Sequence, residues 1–222
     1  MSTRCNIAVL PREEDRRRGK ITFDKGLIPV VYENRFRTGA RFRDVPYRPF
    51  DLSRVGEGQA LRIYCQTDGY AKGGVGETLL EHYNSYEKAL NLMLGGHLED
   101  LTSYTDKDGT VRLGYQNWAM SGRDKGQPEY VPQDRLVLME DPDATALDGL
   151  YRYLFMDGKW HVHHLSVDHL RKQFPDDPVM AALPYWVPLD EFIRNGIEER
   201  IDSLQERWDR ENLFPAKHKK TA

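Results

Sequence analysis

The segment after residues 61–65 contains the residue types with the most potential for chemistry. The apolar run Leu-Arg-Ile-Tyr-Cys ends there, and an acidic residue, an aromatic residue and several glycines follow in residues 68–76, which we call the glycine turn. Glycine adopts positive φ at little cost and lets a ligand or another backbone approach closely, so a turn of this kind holds polar groups at the end of a strand. Its candidate ligand-binding residues are Asp68, Gly69, Tyr70, Gly73, Gly74 and Gly76.

Asp68 is the best single candidate for a functional carboxylate in this turn. A carboxylate at the end of a strand is placed to act as a base or as a ligand. Asp residues at such positions also hold turns by accepting backbone hydrogen bonds, so a structural role stays open. The N–H groups of residues 73–76 suit a phosphate and hence a small, nucleotide-like ligand, although the glycine spacing fits neither the phosphate-loop nor the dinucleotide fingerprint.

The polar start of the chain adds two further candidate binding residues, Arg4 and Asn6. They stand immediately before and inside a strand that alternation predicts over residues 5–10. If this strand is a neighbour of residues 61–65, both side chains project toward Asp68 and form one cluster with it.

His161 and His163 form a second constellation. Alternate residues of a strand share one face, so the two imidazoles have a spacing at which strand residues bind one metal ion. A metal site needs three or four ligands, and because His164 points to the opposite face, the third ligand has to be His82, His97 or an acidic residue. The alternative hypothesis is therefore a metal-dependent hydrolase or nucleotide-processing enzyme, in which the two histidines bind the metal and Asp68 acts as a base or a ligand. Otherwise the two histidines are polar residues on an open sheet face, and the sequence assigns no metal or other cofactor.

An arginine-rich segment from Arg35 to Arg54 is the third candidate. Its arginines alternate with aromatic residues, a composition that suits phosphate contacts and base stacking. Prolines and aspartates interrupt it, which favours a long surface loop whose aromatic side chains pack on the core. The net charge is −3 and the pI about 6.2, so no general positive field attracts nucleic acid, and we do not expect a nucleic-acid partner.

These candidates must be positioned by a sheet and helices, which we predict as an α+β fold with a mainly antiparallel sheet and helices packed on one face. The clearest signal is the Asp157-Gly158 pair between two aromatic runs, which favours a two-residue hairpin turn. In the resulting register, the core face carries Tyr151, Tyr153, Phe155, Trp160, Val162 and His164. The other face carries Arg152, Leu154, Met156, His161 and His163.

A long amphipathic helix from about Pro188 to Arg210 is predicted near the C-terminus. Its apolar residues recur every three or four positions and form one stripe, whereas Glu198 and other polar residues lie on the remaining faces. The stripe packs either on the domain or on a second copy of the chain, so a homodimer is one expected arrangement. We expect a single α+β domain over residues 1–212 and a flexible basic tail over residues 213–222.

The chain has the character of a cytoplasmic protein. No apolar run approaches the roughly 20 residues that cross a bilayer, and the first residues lack the apolar segment of a signal peptide. Cys5 and Cys65 lie in predicted strands, and we expect buried free thiols because a reducing cytoplasm disfavours a disulfide. No membrane partner is expected.

Residues 1–7 read Met-Ser-Thr-Arg-Cys-Asn-Ile, and residues 64–71 read Tyr-Cys-Gln-Thr-Asp-Gly-Tyr-Ala. Together these stretches resemble a family of small bacteriophage and prophage proteins. Those proteins open with Met-Ser-Thr-Arg-Cys/Ser-Asn-Ile and contain a strand that ends in Tyr-Arg-His-x-Asp-Gly-Tyr-Pro before a glycine. The resemblance covers about a third of the chain. Cys65 and Gln66 replace the family's Arg and His, and Ala71 replaces its Pro, so any catalytic or ligand role of that His is lost here.

The resemblance implies a phage or another mobile element as the setting, and the cytoplasm of a bacterial host as the location. It implies an accessory protein that binds a host protein or a small ligand, and countering a host defence is one role of that kind. Such proteins commonly act by binding, an analogy that carries no chemistry of its own. Whether the protein is an enzyme stays open at the level of sequence.

Overall fold

The strands and helices below are those of a computed structural model, which describes residues 3–22, 24, 27, 50–94, 96, 98–105, 111–117, 137–139 and 149–213. Residues 35–49 of the arginine-rich segment and residues 214–222 of the tail lie outside this set, so the predictions made for them stay predictions. None of the described helices is long and apolar enough to cross a membrane.

Strands and helices follow one another in an irregular order along the chain. The strands are β1 (Cys5–Val9), β2 (Lys20–Ile21), β3 (Phe50–Asp51), β4 (Ala60–Cys65), β5 (Leu98–Thr105), β6 (Val111–Asn117), β7 (Val137–Met139), β8 (Tyr151–Met156), β9 (Lys159–His164) and β10 (Val187–Pro188). The helices are α1 (Glu13–Arg18), α2 (Val75–His82), α3 (Tyr86–Leu94), α4 (Ser166–Gln173), α5 (Pro178–Ala182), α6 (Leu189–Arg194) and α7 (Ile197–Asn212), and a 3₁₀ turn spans Leu52–Arg54. This order is typical of an α+β fold rather than of repeated βαβ units.

One mixed sheet runs through the protein in the order β10-β9-β8-β1-β4-β5-β6, and β7 also pairs with β4. Most neighbouring strands are antiparallel, whereas β1 with β8 and β4 with β5 are parallel. A separate two-stranded sheet joins β2 and β3. The predicted α+β class with a mainly antiparallel sheet is therefore confirmed.

Strand β1 brings the start of the chain against the strand that precedes the glycine turn. Cys5 lies opposite Cys65 in the antiparallel pairing with β4 and opposite Tyr151 in the parallel pairing with β8. The first strand is thus a neighbour of residues 61–65, a point that the sequence left open. Every residue of β1 is buried, as is typical of a strand in the middle of a sheet covered on both faces.

The hairpin of β8 and β9 has the predicted turn and register. Asp157 and Gly158 have φ values of 51° and 79°, in keeping with the positive φ that a type I′ turn needs at both positions. The aromatic face of the hairpin is buried, and the Trp160 indole N–H donates to the carbonyl oxygen of Tyr83 at 2.9 Å. This face is therefore part of the core, as predicted.

The helices pack on one face of the main sheet, as predicted. The odd-numbered residues of β1, β4 and β8 share one buried apolar cluster with side chains of α2, α3, α4, α6 and α7. The long amphipathic helix is present as α7, and its Ile197, Ile201 and Leu204 belong to this cluster. The apolar stripe of α7 thus packs on its own chain.

The C-terminal helical segment is broken, although the sequence pattern predicts one continuous helix. α6 ends at Arg194 and α7 begins at Ile197, with Gly196 between them at a φ of 61°. A residue in this left-handed conformation ends a right-handed helix, and glycine adopts it without a steric penalty. Beyond the break, α7 contacts both α4 and α6.

The opposite face of the sheet is polar yet largely buried. We call it the polar face and define it by Asn6, Arg62, Arg152, His161 and His163. The interpretation of the two histidines as residues on an open sheet face is wrong, since His161 is 7% and His163 3% exposed. Side chains cover this face: Leu10, Met156 and Trp186 pack on its small apolar cluster of Ala8, Ala60 and Leu154.

Candidate functional site

Three chain segments meet at the end of the sheet where β1 begins. The carbonyl oxygen of Thr3 accepts a hydrogen bond from the Gly69 N–H at 2.8 Å, and that of Arg4 accepts one from the Leu150 N–H at 3.1 Å. The start of the chain therefore lies between the glycine turn and the residue before β8. The structure brings Arg4 and Asp68 to this end of the sheet, and both are exposed there.

Asn6, the third member of the predicted cluster, does not share that surface. Its side chain is buried on the polar face, and its Oδ1 accepts a hydrogen bond from Nη1 of Arg62 at 2.7 Å. Asn6 lies between Tyr64 and Arg152 in the sheet, so neighbouring strands flank it, whereas Arg4 precedes the strand.

The glycine turn is closed by its own backbone. The Val75 N–H donates to the carbonyl oxygen of Asp68 at 2.9 Å, and the Gly76 N–H donates to that of Tyr70 at 3.0 Å. Asp68 has a φ of 52°, a left-handed conformation that Asp adopts more readily than most residues. Asp68 thus contributes to the turn through its backbone, while the residue itself is exposed.

Close contacts explain three of the predicted glycines, and a Cβ atom on Gly76 would lie 2.5 Å from the carbonyl oxygen of Ala71. A Cβ atom on Gly74 would lie 2.3 Å from the carbonyl oxygen of Asp68, and one on Gly69 would lie 2.8 Å from the Cβ of Cys5. No side chain fits at any of these positions unless the backbone moves. Gly73 differs, because it is exposed and a Cβ there would meet nothing within 4 Å.

A buried carboxylate from the other end of the chain completes the turn. Glu198 is the second residue of α7 and is only 9% exposed. Its Oε1 accepts a hydrogen bond from the Ala71 N–H at 3.3 Å, and its Oε2 accepts one from the Lys72 N–H at 3.0 Å. The Tyr151 hydroxyl also donates to Oε1. The amides at the start of the turn therefore bind a side chain of the same molecule.

Glu198 is buried, although the sequence pattern places it off the apolar stripe of the helix. One signal pointed the other way, since Glu198 stands three residues before Ile201, a helical spacing that puts it beside the buried stripe. Burial, followed by the hydrogen bond to Glu198, raises the pKa of Tyr151 well above its usual value. The Tyr151 hydroxyl therefore keeps its proton and remains a donor to the carboxylate.

Two buried thiols lie beneath the glycine turn. Cys5 and Cys65 are free and fully buried, as predicted. Burial, together with the hydrogen bond to Cys65, raises the pKa of the Cys5 thiol, and the Cys65 thiol donates to the carbonyl oxygen of Thr67 at 3.5 Å. Because the thiolate is the reactive form of cysteine, a buried thiol with a raised pKa is a poor nucleophile.

The polar face forms a second candidate region, on strands β1, β4, β8 and β9. Nη1 of Arg152 donates to the hydroxyl oxygen of Tyr185 at 3.2 Å. The His163 ring stacks on the Tyr185 ring with centroids 4.0 Å apart, and its Nδ1 lies 3.0 Å from the Tyr185 carbonyl oxygen. The His163 Nε2 is 4.0 Å from the carboxylate of Asp168. This network holds basic and aromatic side chains in place beneath the segment before β10.

The enzyme hypothesis needs a third metal ligand beside the histidine pair, and one candidate for it, His97, lies outside the described residues. Within the part of the chain that the structure describes, no three His, Cys, Asp or Glu side chains are arranged to hold a metal ion. His164 lies on the opposite face, as predicted, with its ring 4.6 Å from that of Tyr151. Asp68 follows β4, which is three strands from β9, and a spacing of about 4.8 Å per strand separates it from the pair by about 14 Å across the sheet.

A groove of about 450 Å³ lies between α1 and α3, lined by none of the predicted binding residues. The Arg12 guanidinium lies 4.0 Å from the centre of the Tyr86 ring. The backbone N–H of Arg12 donates a hydrogen bond to the Tyr86 hydroxyl oxygen at 2.9 Å. Nη1 of Arg12 also lies 3.6 Å from the Glu14 carboxylate and 3.7 Å from that of Glu87. The charge of Arg12 is thus engaged within the protein.

Three comparisons bear on the identity of these regions. The chain matches no protein-family model, no curated protein and no solved structure.

Proposed function

We propose that this protein acts by binding a partner protein at the end of the sheet where β1 begins. The end surface, as we call it, consists of Arg4, Asp68, Tyr70 and Leu150. The observation that carries the proposal is the exposure of two large apolar side chains there, 39% for Tyr70 and 48% for Leu150. Tyrosine and arginine are enriched at the energetic centres of protein interfaces, which favours a protein as the partner.

The backbone that carries the end surface is held in place before any partner binds. Tyr70 belongs to the closed glycine turn, and its ring contacts the Tyr151 ring edge-on with centroids 6.3 Å apart. The Leu150 N–H donates to Arg4, and its carbonyl oxygen accepts a hydrogen bond from the Leu165 N–H at 3.0 Å. Because these segments are already ordered, binding loses little further conformational entropy.

A small anionic ligand in the glycine turn has less support. The N–H groups of Ala71 and Lys72 donate to Glu198, and those of Val75 and Gly76 donate to carbonyl oxygens of the turn. The phosphate of a nucleotide-like ligand would have to replace these bonds. We therefore favour a protein over a small molecule as the partner.

The resemblance to small phage and prophage proteins makes a host protein the partner that we favour. Binding would then take place in the cytoplasm of a bacterial host, and blocking a defence protein is one purpose that it would serve. An accessory protein of this kind needs a fixed recognition surface rather than a catalytic group.

Site-specific photocrosslinking in host cells tests this proposal. Benzoylphenylalanine is introduced in place of Tyr70 or Leu150, and both variants are irradiated in cells. We expect one adduct of the same mass from both positions, because both side chains would lie in the interface. Val179 on α5 is the matched control, since its exposure of 39% equals that of Tyr70. We expect no such adduct from position 179.

Reversal of a charge in the end surface provides a second control. Arg4→Glu should lower the yield of the Leu150 adduct by about tenfold, since it places a repulsive charge at the rim of the interface. The proposal is wrong if positions 70 and 150 give no adduct, or if position 179 gives the same adducts.

A further inference from the structure

We propose that the glycine turn is a carboxylate-binding nest and that Glu198 is the ligand built into it. A nest is a concave set of backbone N–H groups that converge on an anion. Here two consecutive N–H groups, those of Ala71 and Lys72, point at opposite oxygens of one carboxylate. The Tyr151 hydroxyl, on strand β8, adds a third donor.

Among the described residues, these three donors make the hydrogen bonds to Glu198, and the charge of Lys72 adds a favourable electrostatic interaction. Within the described residues, no lysine, arginine or histidine forms an ion pair with Glu198, although its neighbour Glu199 pairs with Nζ of Lys72 at 2.9 Å. A carboxylate that is nine-tenths buried loses most of its hydration, which is costly unless hydrogen-bond donors replace the water. The nest supplies such donors.

The contacts of the turn direct its amides toward α7. The carbonyl oxygens of Asp68 and Tyr70 accept hydrogen bonds from Val75 and Gly76, so the ends of the turn are tied together independently of Glu198. Ala71, between these ties, is fully buried. The nest is therefore preformed, and it should bind a small free carboxylate when the side chain of Glu198 is removed.

The nest also connects α7 with the end surface. Tyr70 immediately precedes the two amides, and its ring contacts the ring of Tyr151, which donates to Glu198. Occupancy of the nest then holds Tyr70 in position for a partner. This consequence rests on the proposed function, whereas the nest itself does not.

Removal of the built-in ligand tests the nest, with formate as the probe. In Glu198→Ala we expect hydrogen exchange at the Ala71 and Lys72 amides to become about tenfold faster or more, because each loses a charge-assisted hydrogen bond. Formate should restore the slow exchange in a saturable way and shift the resonances of the same two amides. The wild-type protein should not respond, because Glu198 already fills the nest.

Glu199→Ala is the matched control. It removes the adjacent carboxylate, which binds the side chain of Lys72 rather than its backbone, so the two amides should stay slow and insensitive to formate. If Glu198→Ala does not fold, Glu198→Gln keeps the size of the side chain and replaces one acceptor oxygen by an N–H donor. In that variant we expect faster exchange at one of the two amides and no response to formate.

Two results would overturn the nest: unchanged amide exchange in both Glu198 variants, or a folded Glu198→Ala variant that ignores formate. The partner is tested separately, by crosslinking from position 150 with Tyr70 intact. No adduct from the wild type, together with a formate response in Glu198→Ala, rejects the proposed function and keeps the nest. An adduct that Glu198→Ala leaves unchanged rejects the link from the nest to Tyr70.

Discussion

The glycine turn and the polar face both take charged groups out of water, but they compensate the charge differently. In the turn, the carboxylate of Glu198 is bound by two backbone N–H groups and one hydroxyl. On the polar face, the guanidinium groups of Arg62 and Arg152 donate to side-chain oxygens of Asn6 and Tyr185. Backbone donors are fixed once the turn closes, whereas side-chain donors depend on their neighbours for position.

Because of this difference, the glycine turn is easier to locate from the sequence than the polar face. The turn is one continuous segment whose close contacts demand glycine, so its location is marked by residue type. The polar face is assembled from four strands, and each contributes one or two residues of ordinary character.

Gly74→Ala is expected to have the largest effect, because it breaks the turn. The added Cβ would lie 2.3 Å from the backbone carbonyl oxygen of Asp68, a clash that no side-chain rotation relieves. We expect the free energy of unfolding to fall by about 3 kcal/mol or more. In Gly73→Ala the Cβ meets nothing within 4 Å, and only the φ of 72° is costly, by about 1 kcal/mol. Urea unfolding measures the free energy of unfolding of both variants. Equal losses in Gly74→Ala and Gly73→Ala would contradict the close contact between residue 74 and the Asp68 carbonyl oxygen.

Acidification should destabilise the protein through a buried histidine on the helical face. Burial lowers the pKa of His164 from 6.5 to about 4. The unfolded chain therefore binds the proton first, so this contribution is complete above pH 6.5 and is lost as the pH falls from 6.5 to about 4. The loss amounts to about 3 kcal/mol. On the polar face, burial also lowers the pKa of His161, so its contribution changes in the same direction.

Denaturant unfolding across this pH range separates the two faces. His164→Gln removes the titrating group and keeps an acceptor for the Ser166 N–H, so its free energy of unfolding should depend less on pH below 6.5. Above neutral pH the variant and the wild type should follow parallel curves. His161→Gln measures the smaller contribution that the polar face makes to the pH dependence of the free energy of unfolding. A slope that stays unchanged in His164→Gln would show that another group controls the acid sensitivity.

Removal of one tyrosine hydroxyl from each region tests how strongly that region stabilises its buried charge. Tyr151→Phe removes the donor to Glu198, and Tyr185→Phe removes the acceptor for Arg152. We expect losses of about 2 kcal/mol for Tyr151→Phe and about 1 kcal/mol for Tyr185→Phe, because Tyr151 is buried and Tyr185 only half-buried. Urea unfolding at neutral pH measures both, and the reverse order would refute the comparison.

Tyr83→Phe should have the smallest effect, and the effect should be favourable. The Tyr83 hydroxyl is buried, and among the described residues it has no hydrogen-bond partner. Its removal should raise the free energy of unfolding by up to about 1 kcal/mol. Tyr153→Phe is the control, because that hydroxyl donates to the Gly69 carbonyl oxygen at 2.8 Å and its loss should cost about 1 kcal/mol. Similar losses from both variants would mean that Tyr83 has an equivalent partner.

Elements with local signals were predictable. The β8–β9 hairpin follows from Asp157-Gly158 and from strand alternation, and the register of the pair follows from the turn. The break at Gly196 was missed because the apolar spacing continues across it, and a single glycine inside a helical pattern does not by itself predict an end.

The candidate site was predictable only in part. The glycine turn and Arg4 lie at the same end of the sheet because β1 pairs with β4, a pairing that the sequence left open. Glu198 was missed because it lies 127 residues from Ala71, and no local pattern reports a contact over that distance. Asn6 was assigned to the wrong surface because strand alternation shows its face but not what covers that face.

The hairpin turn, the strand faces and the need for glycine at position 74 can be derived from the sequence, because they follow from sterics between residues close in the chain. Only the tertiary structure decided which carboxylate fills the glycine turn and that the polar face is buried. Both depend on segments distant in sequence that meet when the sheet and helices pack, and desolvation and hydrogen bonding of a charge are properties of that assembled environment.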